Sequence, residues 1–206
     1  MFLSPSSLVG DSAVTPSAPS SPLALITHGI ADPQREKVEL FIRGVFKSRY
    51  GANVQSFAPL LVSLQSQGEI VAAAGYRSAA AAPLFLERYL FLPVEAAITS
   101  RSASFVRRRD IVEVGHLAAA RAGEGRRLIP MIGAHLAQQG FSWAVSTLTF
   151  ELHQLFRRLS IESVMLGSAD PSVLGSDAAH WGSYYDHRPM VFAASLRQAP
   201  PRRVLM

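Results

Sequence analysis

The sequence predicts a mixed α/β fold: one sheet with both antiparallel and parallel neighbours, and helices on its faces. Two observations carry that expectation. Two strand-like runs, joined by a short turn, come early in the chain. Near the middle, apolar spacing switches from alternation to a helical stripe and back, the mark of a strand–helix–strand unit.

Residues 23–27 form a short apolar run suited to a strand, followed by a turn through Gly29, Asp32 and Pro33. Residues 36–50 carry apolar side chains at 38, 41, 42, 45 and 46, a helical stripe that Gly51 stops. Residues 60–65 and 69–77 read as strands, with Ser66, Gln67 and Gly68 as a hairpin turn. Residues 79–92 mix small and bulky apolar residues and fit either helix or loop. Residues 110–117 read as a strand whose apolar run is interrupted by Glu113. A glycine-bearing loop, Arg121 to Gly125, leads into a helix over 126–139 with Leu128, Ile132 and Leu136 on one face. Pro130 has to lie near that helix's first turn, since a deeper proline would break the hydrogen-bond ladder; the helix therefore starts close to Gly125. A strand over 141–148, a helix over 150–159, and closing strands over 162–167 and 190–196 complete the order.

The first 22 residues are rich in Ser and Pro with one charge, Asp11, and are expected to be a disordered tail. Residues 198–206 are expected to be a flexible basic tail. Between them, 23–197 reads as one domain, without repeats or a long linker.

Composition narrows the function classes. With no cysteine among 206 residues, disulfides, cysteine–zinc sites and thiol nucleophiles are excluded. The six histidines show no familiar ligand spacing, so no metal is expected. The formal charge is +5, and only Lys37 and Lys47 among the cations are lysines. Arginine grips phosphate and carboxylate through a planar fork, which suits a phosphorylated cofactor; an arginine-favouring genome accounts for the same bias. Nothing resembles a nucleic-acid module. No apolar run is long enough to span a bilayer, and the N-terminus lacks a secretory pattern, so the expected location is the cytoplasm.

Three constellations can carry chemistry. The loop of Arg121, Gly123, Gly125 and Arg126 at a helix start offers backbone amides, dipole and cations to a phosphate, though a Gly-Glu-Gly string is also an ordinary turn. Glu113, a carboxylate among apolar neighbours, is a candidate general base or a salt-bridged strand residue. His116 points to the opposite face of an ideal strand, and only a bulge would let the two act together. Trp181, Gly182, Ser183, Tyr184 and Tyr185 form an aromatic cluster that either covers a substrate and supplies a proton donor, or plugs a loop. Ser183, Asp186 and His187 are too close in sequence for a hydrolase triad, and no nucleophile elbow is present.

Several of these runs resemble the thermostable hemolysin family: residues 69–78, residues 84–90 with Pro93 and Glu95, residues 111–118, and residues 181–185. The similarity covers about 23–197. The layout also resembles the GNAT superfamily of acyltransferases, especially N-acyl amino acid synthases and acyl-homoserine lactone synthases. Arg43 to Phe46 is similar to their early Arg-x-x-Val-Phe helix, Gly75 to Arg77 to their Gly-x-x-Arg strand end, and Glu113 to their acidic central strand. The resemblance implies a GNAT-like sheet splayed between the strands at 111–117 and 141–148. It implies an acyl-CoA or phosphopantetheine-linked acyl carrier donor, possible contact with an acyl carrier protein, and a small amine acceptor. In that reading Glu113, His116, Tyr184 and Tyr185 are catalytic. Leu117, Arg121, Gly123, Gly125 and Arg126 hold the donor; Arg77, Glu87 and Trp181 bind the acceptor. This sequence departs from the pattern in having Ala120 where Gln or Arg is usual before the loop, and His116 where Asn is usual. Two other readings stay open: a membrane-active protein, as the family name suggests, and a noncatalytic ligand-binding domain on the same fold.

Overall fold

A computed structural model describes residues 23–102 and 104–197; the two expected tails lie outside the described residues. Seven strands make one sheet, in the order β1 (Leu23–His28), β2 (Leu60–Ser66), β3 (Glu69–Ser78), β4 (Ile111–Ala119), β5 (Trp143–Leu148), β7 (Met190–Ser195) and β6 (Ser163–Ser168). All neighbours are antiparallel except β4 and β5, which are parallel. The expected mixed, splayed sheet is therefore present. β4 and β5 pair only from Ile111↔Trp143 to Glu113↔Val145, while β4 stays paired with β3 to Ala119 and β5 with β7 to Leu148.

Helix α1 (Arg35–Tyr50) buries Val38, Ile42 and Phe46 against Leu61, Ala73 and Ala118 on one face of the sheet. Its end at Gly51 is left-handed, φ 64°, with the Gly51 amide on Lys47 O. Helix α3 (Glu124–Gln138) buries Leu128, Ile132 and Leu136 against Val62, Leu64, Val112 and Val114 on the opposite face. The β2–β3 hairpin turns through Gln67 and Gly68, φ 53° and 81°, as a two-residue turn with both central residues at positive φ requires.

Three features depart from expectation. Pro130 is the seventh residue of α3, one turn deeper than the proline rule allows, although the helix does start beside Gly125. Its exposed side removes one amide from a solvent-facing row, and the Arg126 carbonyl it leaves is at an exposed residue, within reach of water. Residues 79–92 are neither a full helix nor a plain loop: Phe85–Tyr89 form a 3-10 turn, followed by the short helix α2 (Val94–Thr99), which the sequence had not marked. Residues Pro171–His187, after α4 (Phe150–Arg158) and β6, form a long run of 3-10 turns, kinked at Gly175 and Gly182.

That run is seated on the end of α1. Asn53 N donates to His180 O at 2.7 Å, and the Ser183 hydroxyl donates to Tyr50 O at 3.3 Å. Gly182, φ 53°, lies so close that a Cβ there would sit 2.0 Å from Tyr50 O. Gly182→Ala therefore meets both a positive-φ penalty and a backbone clash. The expected cost is at least ~2 kcal/mol, lowering the melting temperature by roughly 5 °C or more; thermal denaturation checks it, and an unchanged midpoint would mean that the run does not dock there.

Candidate active site

Where β4 and β5 part, on the α1 side of the sheet, lies a cavity of about 250 Å³. Strand β3 brings Arg77, β4 brings Glu113, His116 and Leu117, α1 brings Phe46 and Tyr50, and the 3-10 run brings Trp181, Tyr184 and Tyr185. Phe85 and Tyr89 close the remaining side.

Glu113 and His116 share this cavity because β4 is bulged. Ala73 pairs with Ala118 but Gly75 pairs with Gly115, so His116 and Leu117 together oppose Ala74. His116 takes up the extra residue at φ 53°. The bulge sends Leu117 towards α3 and turns His116 to the side of Phe46 and Phe57, whose rings lie 6.3 and 5.4 Å away.

Glu113 is almost fully engaged. Its Oε2 accepts the Phe85 amide and its Oε1 the Leu86 amide, both at 3.0 Å, and Arg77 Nε stands 3.4 Å from Oε2. Burial pushes its carboxyl above the ordinary range, against the pull of the Phe85 amide, Arg77 and the Leu86 amide. The carboxylate thus fixes the 3-10 turn that walls the cavity. Arg77 spends only its Nε side on Glu113; among the described residues its terminal nitrogens have no hydrogen-bond partner, and they belong to the cavity wall.

His116 is the complement of Glu113. It is half-buried, and burial, together with the charge of Arg77, lowers it to about 4, against a smaller opposing pull from the Ser56 backbone. The imidazole is neutral at pH 7, and its buried Nδ1 has no hydrogen-bond partner. The ring lines the cavity with its vacant Nδ1 turned towards Gly75 on β3, and a neutral imidazole is able to accept a proton.

The tyrosines differ from one another. The Tyr184 hydroxyl donates to Thr147 O at 3.2 Å, on the strand that flanks the splay. Tyr185 and Tyr89 share a 2.6 Å hydroxyl pair at the cavity wall. Burial raises all three phenols, making them weaker acids than free tyrosine.

Not all the sequence candidates meet here. Glu87 is outside the cavity: it accepts the Leu84 and Val94 amides at 2.7 and 3.0 Å and pairs with Arg108 at 2.6 Å, which holds its carboxyl down to about 2. Arg121, Gly123, Gly125 and Arg126 also lie outside it, around the start of α3, where Gly123 has φ 100°. Two of that loop's amides are turned inward: Glu124 N donates to Arg121 O and Arg126 N to Gly123 O. Glu124 also places a carboxylate in the first turn, where it competes with an anion for the helix dipole. Asn53, Ser56 and His180 line the cavity without having been singled out; they sit in irregular segments whose pattern announces nothing. Among the described residues no cluster of His, Asp and Glu is placed to hold a metal, and no helix is long and apolar enough to cross a membrane.

A family model for thermostable hemolysin matches residues 28–200. The chain belongs to the thermostable hemolysin family. No curated protein matches it. Among solved structures it is similar to the acyl-homoserine lactone synthase LasI, at 12% identity and TM-score 0.57, covering 85% of this chain and 91% of that one. The CoA-dependent acyl-homoserine lactone synthase BjaI, solved with SAM and isopentyl-CoA, matches at 10% identity and TM-score 0.59, covering 86% and 85%. FeeM, an N-acyl amino acid synthase from uncultured soil microbes, matches at 13% identity and TM-score 0.54, covering 84% and 89%. At such identities the likeness establishes the GNAT-like fold, and the chemistry has to be argued from the cavity.

The His116 environment makes a pH prediction. The native pKa lies below the unfolded value near 6.5, so the unfolded chain binds the proton more readily. The contribution is therefore whole above pH 6.5 and is lost as pH falls towards 4. His116→Asn tolerates the positive φ and cannot titrate. Between pH 7 and 4.5 wild type should lose on the order of 1–3 kcal/mol more stability than the variant, read from denaturant midpoints at each pH; parallel pH curves would place His116 in water.

Proposed function

We propose that this member of the thermostable hemolysin family is an N-acyltransferase, moving an acyl group from a CoA or acyl-carrier-protein thioester to the amine of a small, carboxylate-bearing acceptor such as an amino acid. The observation that carries the reading is the cavity at the β4–β5 splay, whose wall brings His116 together with the Arg77 guanidinium.

An extended donor arm bearing amides suits a slot whose strand edges have ceased to pair with each other. The acceptor carboxylate would take the Arg77 fork. The amine nitrogen attacks the thioester carbonyl: a C–N bond forms, the C–S bond breaks, and the carbonyl oxygen carries charge in between, held by a β4 amide. The His116 imidazole receives the proton that the amine sheds, and that proton is then available to the departing sulfur. Glu113 serves by positioning Arg77 and the Phe85–Leu86 amides. The Tyr89–Tyr185 pair supplies the nearest hydroxyls to the leaving group. Arg121 and Arg126, exposed beside the start of α3, remain the candidates for the donor's phosphates.

The deciding experiment incubates the protein with acyl-CoA and acyl-carrier donors against an amine library and scores free thiol. Amine-dependent thiol release is expected, falling about 10²–10⁴-fold in His116→Asn with donor affinity retained; amine-independent hydrolysis, or none at all, ends the reading. In Glu113→Gln the side-chain amide would face a backbone N–H, so a loss of about 1–3 kcal/mol in stability is expected, with turnover per folded molecule falling less than in His116→Asn. Charge reversal at Arg121 or Arg126 should weaken CoA binding in calorimetry, and unchanged affinity in both would leave that loop a simple turn.

A second reading rests on Phe91 and Phe105, both largely exposed in the segment around α2. Exposed aromatics of this kind suit a bilayer surface, and dye leakage from anionic liposomes separates a membrane-active protein from a transferase.

A further inference from the structure

Thr147 sits where β5 loses its neighbour on one side. Successive carbonyls along a strand point to opposite neighbours. Ser142 O accepts the Leu196 amide from the β7 side at 2.9 Å, so the carbonyls of Ala144, Ser146 and Leu148 also face β7. Those of Trp143, Val145 and Thr147 face β4. The β4–β5 ladder ends at Glu113↔Val145, so Thr147 O is turned into the gap without a strand partner on that side. A sheltered carbonyl in such a place needs a donor from elsewhere.

The donor it has is the Tyr184 hydroxyl, at 3.2 Å. Tyr184 comes from the 3-10 run, outside the sheet, and its ring is steadied by Phe46, Tyr50 and Trp181, with centroids 6.4, 5.3 and 5.5 Å away. The backbone beside it is pinned on the end of α1 by the Ser183 hydroxyl on Tyr50 O and by the Asn53 amide on His180 O. The phenol tip is therefore the part free to give way. Thr147 and Tyr184 both line the polar cavity. An extended arm lying in the gap engages the sheet through the backbone groups that the ladder leaves unpaired. On β5 that group is Thr147 O, and Tyr184 already holds it.

We infer that Tyr184 is a placeholder for the acyl donor: its hydroxyl caps Thr147 O while the slot is empty, and yields that acceptor to an amide N–H of the donor arm when the thioester enters. Tyr184 is thus a positioning residue, which competes with the arm for one carbonyl. The inference deepens the acyltransferase reading and rests on it for the nature of the arm. Because one hydrogen bond is exchanged for another, the arm gains less than it would from a bare carbonyl.

The test uses pantetheine as the probe, with calorimetry on the full chain. Tyr184→Phe keeps the ring and removes the hydroxyl. Pantetheine should bind this variant about 2–12-fold more tightly than wild type, and the donor KM for thiol release should fall by the same factor with kcat little changed. Two pantetheine analogues, each with one of the two amides replaced by an ester, supply the control. The ester that falls at Thr147 has no N–H to give, so the gain should vanish for one analogue and persist for the other. In a Trp143→Phe background Trp181 is the remaining one of two tryptophans, 5.5 Å from the Tyr184 ring, and its emission should change on saturation with pantetheine. Equal or weaker pantetheine binding by Tyr184→Phe, a gain that both esters keep, or an unchanged Trp181 emission overturns the inference. The expected binding pattern keeps the placeholder even where no thioester is turned over. Thioester turnover with pantetheine affinity unaltered by Tyr184→Phe keeps the transferase and removes the placeholder.

Discussion

The bulge in β4 is the constraint on which the rest of the site depends. A regular strand would place Glu113 and His116 on opposite faces. One extra residue at His116, accommodated at φ 53°, puts both on the α1 side and leaves Val114 and Leu117 on the α3 side. Gly75 on β3 is the counterpart of that distortion. A Cβ at Gly75 would lie 3.2 Å from His116 Nδ1 and 3.0 Å from Ala58 Cβ, so the glycine makes room for the displaced ring. Beside the bulge the β4–β5 ladder stops after three pairs, and the slot opens there.

Two carboxylates organise the wall opposite the bulge. Glu113 accepts the Phe85 and Leu86 amides; Glu87 accepts the Leu84 and Val94 amides. Each is backed by an arginine, Arg77 and Arg108 respectively, and Arg108 also pairs with Glu95 at 2.8 Å and donates to Ala79 O. A short segment with few regular hydrogen bonds is thereby held by charge-assisted bonds to its amides. The two acids differ in their surroundings. Desolvation dominates at Glu113, whereas the Arg108 hydrogen bond dominates at Glu87, and the two shifts run in opposite directions. On the facing wall, Phe46, Tyr50, Trp181, Tyr184 and Tyr185 interlock through tilted, edge-on and stacked ring contacts of 5.3–6.4 Å.

Much of this was legible from sequence because it rests on periodicity. The stripes on α1 and α3 and the β2–β3 hairpin follow from residue spacing alone. Glu113 announced itself as a carboxylate in an apolar strand, and Gly182 as a glycine among aromatics. What escaped depends on contacts between distant segments. No local pattern reveals that Glu87 would be consumed by Leu84, Val94 and Arg108, and the family resemblance suggested a binding role instead. The 3-10 run Pro171–His187 has neither period, because its shape is set by docking onto α1. Pro130 was read by a rule about amides, and the rule fails where the orphaned carbonyl faces solvent.

The sheet divides two environments, and the division follows from strand alternation applied to a broken ladder. On the α1 side the splay gathers groups that act on charge: the Arg77 guanidinium, the His116 ring and paired phenols. On the α3 side the lining is mainly apolar, with Ser146, Ser195 and Arg197 at its edge. A continuous sheet would seal these faces from each other with backbone hydrogen bonds. Stopping the β4–β5 ladder at Glu113↔Val145 removes that seal at one place only, between strands that are anchored on their outer sides by β3 and β7. The opening is therefore framed on both sides by paired strands.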